Sequence, residues 1–178
     1  MNRKVTVVGG AGNVGATVAR GVAERQLADV VVIDIADQKA AGVALDMLEA
    51  CPIWGSDARV LGTGDFAESA NSDLVVVTSG VPRKPGMSRD DLLNVNYKIM
   101  QQVTEQVVKH SPNCIIIPVS NPLDAMAQAV YKLSRFPRER VIGMAGVLDG
   151  ARMRSFIAKE LSVSVENVHA FEIGRAHV

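Results

Sequence analysis

Three glycines near the start of the chain, Gly10, Gly12 and Gly15, fit the pattern G-x-G-x-x-G directly after the apolar run Val5-Thr6-Val7-Val8. This spacing allows a sharp turn, close approach of backbone to a pyrophosphate, and tight packing of a helix on a strand. Gly10, Ala11, Gly12, Asn13, Val14 and Gly15 would then present the unpaired N–H groups and partial positive charge of a helix N-terminus to phosphates. A second apolar run, Val30 to Ile33, ends in Asp34, 19 positions after Gly15. That is close to the roughly 20-residue gap at which an acid meets the adenine ribose of a dinucleotide. A carboxylate there accepts hydrogen bonds from the ribose hydroxyls and repels a 2′-phosphate, so the pattern favours NAD over NADP. Acids also end strands for no functional reason, but the glycines at this distance outweigh that reading. Gly9 additionally permits Gly9-x-x-Gly12-x-x-Gly15, and both spacings keep Gly12 and Gly15 against the phosphates.

Further along, Gly80-Val81-Pro82-Arg83-Lys84-Pro85-Gly86-Met87-Ser88-Arg89 follows the apolar run Leu74 to Val77. A basic surface loop is the plain reading. Yet Arg83 and Arg89 stand six positions apart where a nucleotide fold binds ligands, and an arginine fork matches a carboxylate bidentately. Ser120-Asn121-Pro122 follows another apolar run, and Asn121 could cap the next helix, with Pro122 in its first turn. Asp149 could be an ordinary first-turn acid facing a helix dipole.

The run Gly-Val-x-Arg-Lys-Pro-Gly-Met-x-Arg resembles the active-site loop of the malate/lactate dehydrogenase family in its malate form, and several motifs from residue 3 to 171 resemble that family in order. The resemblance implies reversible, NAD-dependent oxidation of (S)-malate to oxaloacetate by hydride transfer. It makes Arg83 the partner of the distal carboxylate, where lactate enzymes carry Gln. It makes Arg89 the group that polarises the reacting oxygen, in a loop that closes over the substrate. Asn96 receives a cofactor contact. Val119, Ser120 and Asn121 lie beside the nicotinamide, Asn121 also holds the substrate, and the Asn121–Pro122 bond is cis. In Leu148-Asp149-Gly150-Ala151-Arg152, Asp149 orients the catalytic histidine and Arg152 forks onto the carboxylate next to the reacting carbon. The family's histidine lies in Gly-Gly-His-Gly-Asp. By register it falls at position 176, where this chain has Ala176; His177 is one place out of register and is not assigned as the base.

These residues need a frame to position them. Apolar runs alternating with helical patterns imply an α/β fold, a doubly wound parallel sheet covered on both faces. Expected strands are Val5–Val8, Val30–Ile33, Arg59–Leu61, Leu74–Val77 and Cys114–Val119, with Val141-Ile142-Gly143 as a sixth. Expected helices run from about Asn13 to Arg25 with Val14, Val18 and Val22 inward, and from Asp37 or Gln38 through Ala41, Leu45 and Leu48 until Pro52 stops it. A long third helix buries Leu92, Val95, Ile99, Val103 and Val107, and a fourth runs through Ala127, Val130 and Leu133. The helix opened by Asp149 turns Met153, Phe156, Ile157 and Leu161 inward, and Val168 to Phe171 reads as a strand. His110 and Asp46 read as ordinary surface groups.

The 178 residues can bury a sizeable core, and the balance of 19 basic against 19 acidic residues argues against general affinity for nucleic acid or anionic membranes. Cys51 and Cys114 lack metal-ligand or CxxC spacing, so no metal site is expected and a reduced, cytoplasmic setting is. No leader or spanning segment is expected. Residues 1–143 are expected to form the NAD-binding domain and 144–171 the beginning of the substrate domain. Residues 172–178 depart from the family pattern, and one set of codons for them spells the opening of a sequencing adapter, so a non-native tail is expected. Against the family's length roughly the first half is present, so the chain by itself is expected to bind NAD weakly and turn over little. The resemblance gives the full-length form as a homodimer or homotetramer. The rival readings are a lactate or other 2-hydroxyacid dehydrogenase, and a dinucleotide-binding module without chemistry.

Overall fold

A computed structural model describes residues 3–82 and 84–172. Five strands, β1 (Lys4–Val8), β2 (Asp29–Ile33), β3 (Val60–Thr63), β4 (Leu74–Val77) and β5 (Ile115–Pro118), form one sheet in the order β3-β2-β1-β4-β5, every pair parallel. The expected sixth strand is reduced to a single parallel bridge, Ile116 to Val141, followed by Ile142 N–H to the Ile116 carbonyl at 3.0 Å and Met144 N–H to the Pro118 carbonyl at 3.1 Å. Val141-Ile142-Gly143 lies where a sixth strand belongs, beside β5, but pairs over too short a run to count as a strand.

Four helices cover the sheet: α1 (Asn13–Glu24) and α2 (Asp37–Trp54) on one face, α3 (Arg89–His110) and α4 (Leu123–Ser134) on the other. Successive strand residues point to opposite faces. Val5, Val7, Val30 and Val32 therefore pack with Ala19, Ala23, Ala40 and Ala44. Val8, Val31, Ile33, Val75 and Val77 pack with Met100, Val103, Val107, Met126 and Val130. Both faces being buried explains why the strands read as near-continuous apolar runs.

The helices are where the sequence pattern misled by one residue. On α1 the buried row is Gly15, Ala19 and Ala23, while Val14 is 55% exposed and Val18 and Val22 flank the core. On α2 the buried row is Ala40, Ala44, Met47 and Cys51, leaving Leu45 and Leu48 exposed. One residue turns a helix by about 100°, so a neighbouring row faces elsewhere. The reason is close approach: a Cβ added to Gly62 of β3 would sit 2.0 Å from the Ala40 carbonyl oxygen. A helix that close to a sheet can place only small side chains beneath it, and the larger ones go outside. Pro52 does not stop α2; the helix continues to Trp54 and ends on Gly55 at φ 67°. Pro52 is exposed, so the Leu48 carbonyl that loses its helical partner can turn to water. On α3 Val103 and Val107 are buried as expected, but Asn96 and Met100 occupy the inward row above them and Val95 is 40% exposed.

Helix α5 (Gly146–Glu160) begins before Leu148, and its expected inward face is largely outward: Met153, Phe156 and Leu161 are all exposed. Gly150 and Ala158 are buried instead, and a Cβ on Gly150 would lie 3.2 Å from the Ala170 carbonyl oxygen. The expected strand at Val168 to Phe171 does not form; the short 3-10 turn Val165–Asn167 precedes an extended stretch there. Arg154 ties this stretch to α5 through the Val168 carbonyl (2.7 Å) and the Val165 carbonyl (3.0 Å).

Candidate functional site

The strand order reverses between β1 and β4, and the C-terminal ends of these two strands meet there, where open α/β sheets bind ligands. After β1 the chain turns at Gly9, whose φ of 80° suits glycine and whose added Cβ would lie 2.7 Å from the Ser79 nitrogen. Thr78 Oγ1 donates in the same gap to the Val8 carbonyl (3.0 Å) or the Gly9 carbonyl (3.1 Å), tying the two strand ends together. The sequence offered no signal for that role of Thr78.

The turn has no room for side chains. A Cβ on Gly10 would lie 2.8 Å from the Val7 carbonyl oxygen, and one on Gly15 would lie 2.5 Å from that of Gly9. Gly12 is the N-cap of α1 and supplies no side chain, and the first turn carries no acid. The first helical hydrogen bond runs from Ala16 N–H to the Gly12 carbonyl at 2.8 Å, which leaves the N–H groups of Asn13, Val14 and Gly15 without helical partners. Gly12, Asn13 and Val14 are exposed. This is an anion cradle made of backbone.

Asp34 stands immediately after β2. Its Oδ2 accepts from Ala11 N–H at 3.1 Å and its Oδ1 from Ala36 N–H at 3.1 Å. The structure thus joins the acid to the glycine turn, and each oxygen keeps a further lone pair for a ribose hydroxyl. Ile35, the next residue, is fully exposed. An exposed isoleucine beside a ribose position presents an apolar surface that the sequence reading passed over. Glycines that exclude a Cβ, N–H groups without helical partners and an acid held against the glycine turn together fit NAD.

On the other side of the crevice, four candidates lie close together: Asn96, Val119, Ser120 and Asn121. The Asn121–Pro122 bond is cis, as expected. Asn121 does not cap α4: the N-cap is Pro122, with no side-chain cap bond, and Asn121 is exposed. Asn96 is 1% exposed, and its side chain is engaged with backbone. Oδ1 accepts from Val81 N–H at 2.9 Å, while Nδ2 donates to the Asn121 carbonyl at 2.6 Å and to the Val81 carbonyl at 3.3 Å. These bonds engage the amide with the loops after β4 and β5. Ser120 is likewise buried, its hydroxyl donating to the Ser79 and Val77 carbonyls, so it can offer a ligand little beyond backbone. Val119 is half-buried and extends β5 by one bond, N–H to the Val77 carbonyl at 2.9 Å. The Ser79 hydroxyl is buried and has no hydrogen-bond partner, although the Ser79 backbone stands beside Gly9 of the glycine turn.

The basic loop has its own order. Lys84-Pro85-Gly86-Met87 forms a turn closed by Met87 N–H to the Lys84 carbonyl at 3.1 Å, with Pro85 at the second place and Gly86 at φ 86° in the third, as a type II turn requires. Arg83 lies outside the described residues. Arg89 belongs to α3 as its first residue rather than to the loop. Just before it, Ser88 Oγ accepts from Asp91 N–H (3.0 Å) and the Asp91 carboxylate accepts from Ser88 N–H (3.0 Å), a reciprocal capping box. The Ser88 hydroxyl also donates to the Asp91 carboxylate at 2.7 Å, and this bond first, then the one from Ser88 N–H, holds the Asp91 carboxyl below its usual value. On α5, Asp149 and Arg152 pair with each other at 3.1 Å. Ala176 and His177 lie outside the described residues. Among the described residues no group of three or more His, Cys, Asp or Glu could hold a metal ion, and no helix is long and apolar enough to cross a membrane.

The pattern of the family described as lactate/malate dehydrogenase, NAD binding domain, matches residues 3–143. A malate dehydrogenase of Geobacillus sp. (strain WCH70) is 54% identical over 176 residues, covering 98% of this chain and 56% of that protein. Among solved structures, the malate dehydrogenase from Salinibacter ruber is 52% identical with a TM-score of 0.90, over 97% of this chain and 54% of that one. A lactate dehydrogenase from Cryptosporidium parvum, complexed with lactic acid and β-nicotinamide adenine dinucleotide, is 40% identical with a TM-score of 0.92, over 98% of this chain and 55% of that one. The chain thus spans about half the length of the relatives it matches, and it belongs to the lactate/malate dehydrogenase family through that family's NAD-binding domain.

Proposed function

We propose that the whole protein oxidises (S)-malate reversibly to oxaloacetate with NAD. The observation that carries this reading is the crevice between β1 and β4, where an uncapped helix N-terminus and Asp34 face the loops that lead to Arg89 and Asn121. When bound there, NAD supplies the acceptor for the hydride that leaves C2 of malate. The N–H groups at the start of α1 hold the pyrophosphate, Asp34 holds the adenine ribose, and Ile35 lies under the adenine. Backbone at Val119 and Ser120 borders the nicotinamide, with Asn121 binding substrate beside it.

On the substrate, the proposed roles follow the chemistry of each side chain. Arg83 and Arg152 hold the two carboxylates, and Arg89 stabilises charge on the reacting oxygen. Asp149 serves a histidine supplied from beyond this chain, which takes the hydroxyl proton. For Arg152 and Asp149 this requires their mutual ion pair to open or be shared. The family match ends at Gly143, which supports a NAD-binding domain over 1–143 and the beginning of a substrate domain over 144–171. The outward row Ala41, Leu45 and Leu48 of α2 is an apolar stripe suited to a second copy, in keeping with a homodimer or homotetramer; a cytoplasmic location goes with this reading.

A lactate-type reading is favoured by the likeness to the Cryptosporidium enzyme. Arg83 opposes it, because a guanidinium closed against a methyl group by the substrate would lack a partner. The deciding experiment extends the chain through a Gly-Gly-His-Gly-Asp segment and compares oxaloacetate with pyruvate as substrates for NADH oxidation. We expect oxaloacetate to be preferred by at least about a hundredfold, the scale set by leaving a charged site group unpaired. A preference for pyruvate would transfer the protein to the lactate reading, and no turnover of either would leave the binding-only module.

A further inference from the structure

Among the described residues, Asn96 is the one buried side-chain amide whose hydrogen bonds span both ligand-edge loops on this side of the sheet. It sits two turns into α3, in a row otherwise filled by Met100, Val103 and Val107. At 1% exposure an amide is a costly group to bury, and it is retained only if its donors and acceptor are matched. They are matched by two loops distant in sequence: Val81, at the root of the loop after β4, and Asn121, in the loop after β5. The fit is close, since a Cβ on Gly80 would lie 3.3 Å from Asn96 Oδ1. The far end of the 80–88 loop is fixed independently by the Ser88–Asp91 capping box. Asn96 therefore holds the near end of that loop and ties it to the residue beside which a nicotinamide and substrate would lie.

We infer that Asn96 is a positioning residue that couples the root of the 80–88 loop to the Asn121 loop, so that a ligand settling against one loop orders the other. The tie itself follows from the geometry, and its response to ligand rests on the cofactor reading given above. Ser120, whose hydroxyl reaches the Ser79 and Val77 carbonyls, supplies a second stitch between the ends of β4 and β5 that does not involve Val81.

The test is amide hydrogen exchange on the complete 178-residue chain, unaltered and as Asn96→Ala, with and without NADH. Without NADH, Asn96→Ala should speed exchange at Val81 at least tenfold, while Val75 to Val77 of β4 stay within about twofold once the change in global stability is subtracted. With NADH, protection in the unaltered chain should extend from Val119–Asn121 to Val81; in Asn96→Ala it should stop at the β5 loop. Should the variant fail to fold, the unaltered chain still decides: the Asn96 Nδ2 protons should exchange at least tenfold more slowly than those of the exposed Asn121. Uniform acceleration across the sheet, joint protection of both loops in the variant, or freely exchanging Asn96 side-chain protons would each overturn the inference. If NADH protects nothing in the unaltered chain, the cofactor reading and the ligand-response half of the inference fail together, and the ligand-free arm still decides the tie.

Discussion

Helices α1 and α3 both begin at the ligand edge of the sheet, and their N-termini are finished in opposite ways. Helix α3 is closed by the protein itself, with Ser88 and Asp91 satisfying each other's backbone and two acids, Asp90 and Asp91, facing the helix dipole. Helix α1 starts on a glycine, has no side-chain cap and no acid in its first turn. An exposed helix end normally gains stability from such a cap, so omitting one at α1 leaves N–H groups and partial charge for something else. The contrast separates a terminus built to hold the chain from one built to hold an anion.

The largest effect expected from breaking this contrast is at Gly15. The Gly15→Ala variant would place a methyl 2.5 Å from the Gly9 carbonyl oxygen and 2.7 Å from Gly10 Cα, so the turn must shift. NAD affinity should fall at least about a hundredfold by titration calorimetry, with loss of thermal stability from overpacking against backbone. Unchanged binding would mean the phosphates lie elsewhere. Next comes Asp34→Ala, which removes a charged hydrogen-bond acceptor from the ribose and should weaken NAD about 10- to 100-fold. NADP should be weakened far less, because its 2′-phosphate is repelled by the native carboxylate.

A smaller change makes α1 resemble α3. Asn13→Asp puts an acid in the first turn of α1, where it should stabilise the ligand-free chain by about 0.3–1 kcal/mol and weaken NAD several-fold. Gains in both stability and affinity would contradict an anion cradle. The smallest effect on the ligand is expected from Ser88→Ala, which opens the capping box of α3. Loss of a cap should lower Tm by about 2–4 °C while leaving NAD affinity within about twofold. The pH dependence follows from the Asp91 carboxyl, held below its usual 3.8 by Ser88. Its stabilising contribution is complete above that value and is lost as pH falls through the lower folded value. The stability gap between the two chains should therefore narrow in acid, where only the cap bond from Asp91 N–H to Ser88 Oγ is left, and be constant near neutrality.

How far the sequence could be read differs between these same elements. The glycine turn, Asp34 and the parallel α/β frame were legible because each rests on local constraint: a residue without a Cβ, an acid at the end of an apolar run, a run too apolar for an exposed strand. Which face of α1 and α2 is buried was not legible, since hydrophobic size points to Val14, Leu45 and Leu48, whereas close packing selects Gly15, Ala19, Ala40 and Ala44. The exposed Met153, Phe156 and Leu161 of α5 show the converse: an apolar row states what a helix can bury, and a surface to bury it against must come from elsewhere in the fold.

The sequence by itself determined the kind of cofactor and the glycine turn and acid that stand at the strand ends, because backbone conformation and strand ends are set by neighbours along the chain. Only the tertiary structure decided that Asn96 faces inward to Val81 and Asn121, and that Thr78 ties β4 to the glycine turn. It also decided that Arg89 starts α3, apart from the loop before it. The Asn96 and Thr78 contacts join residues 15 to 70 positions apart, and no periodicity or spacing along a chain records which distant backbone a polar side chain will meet.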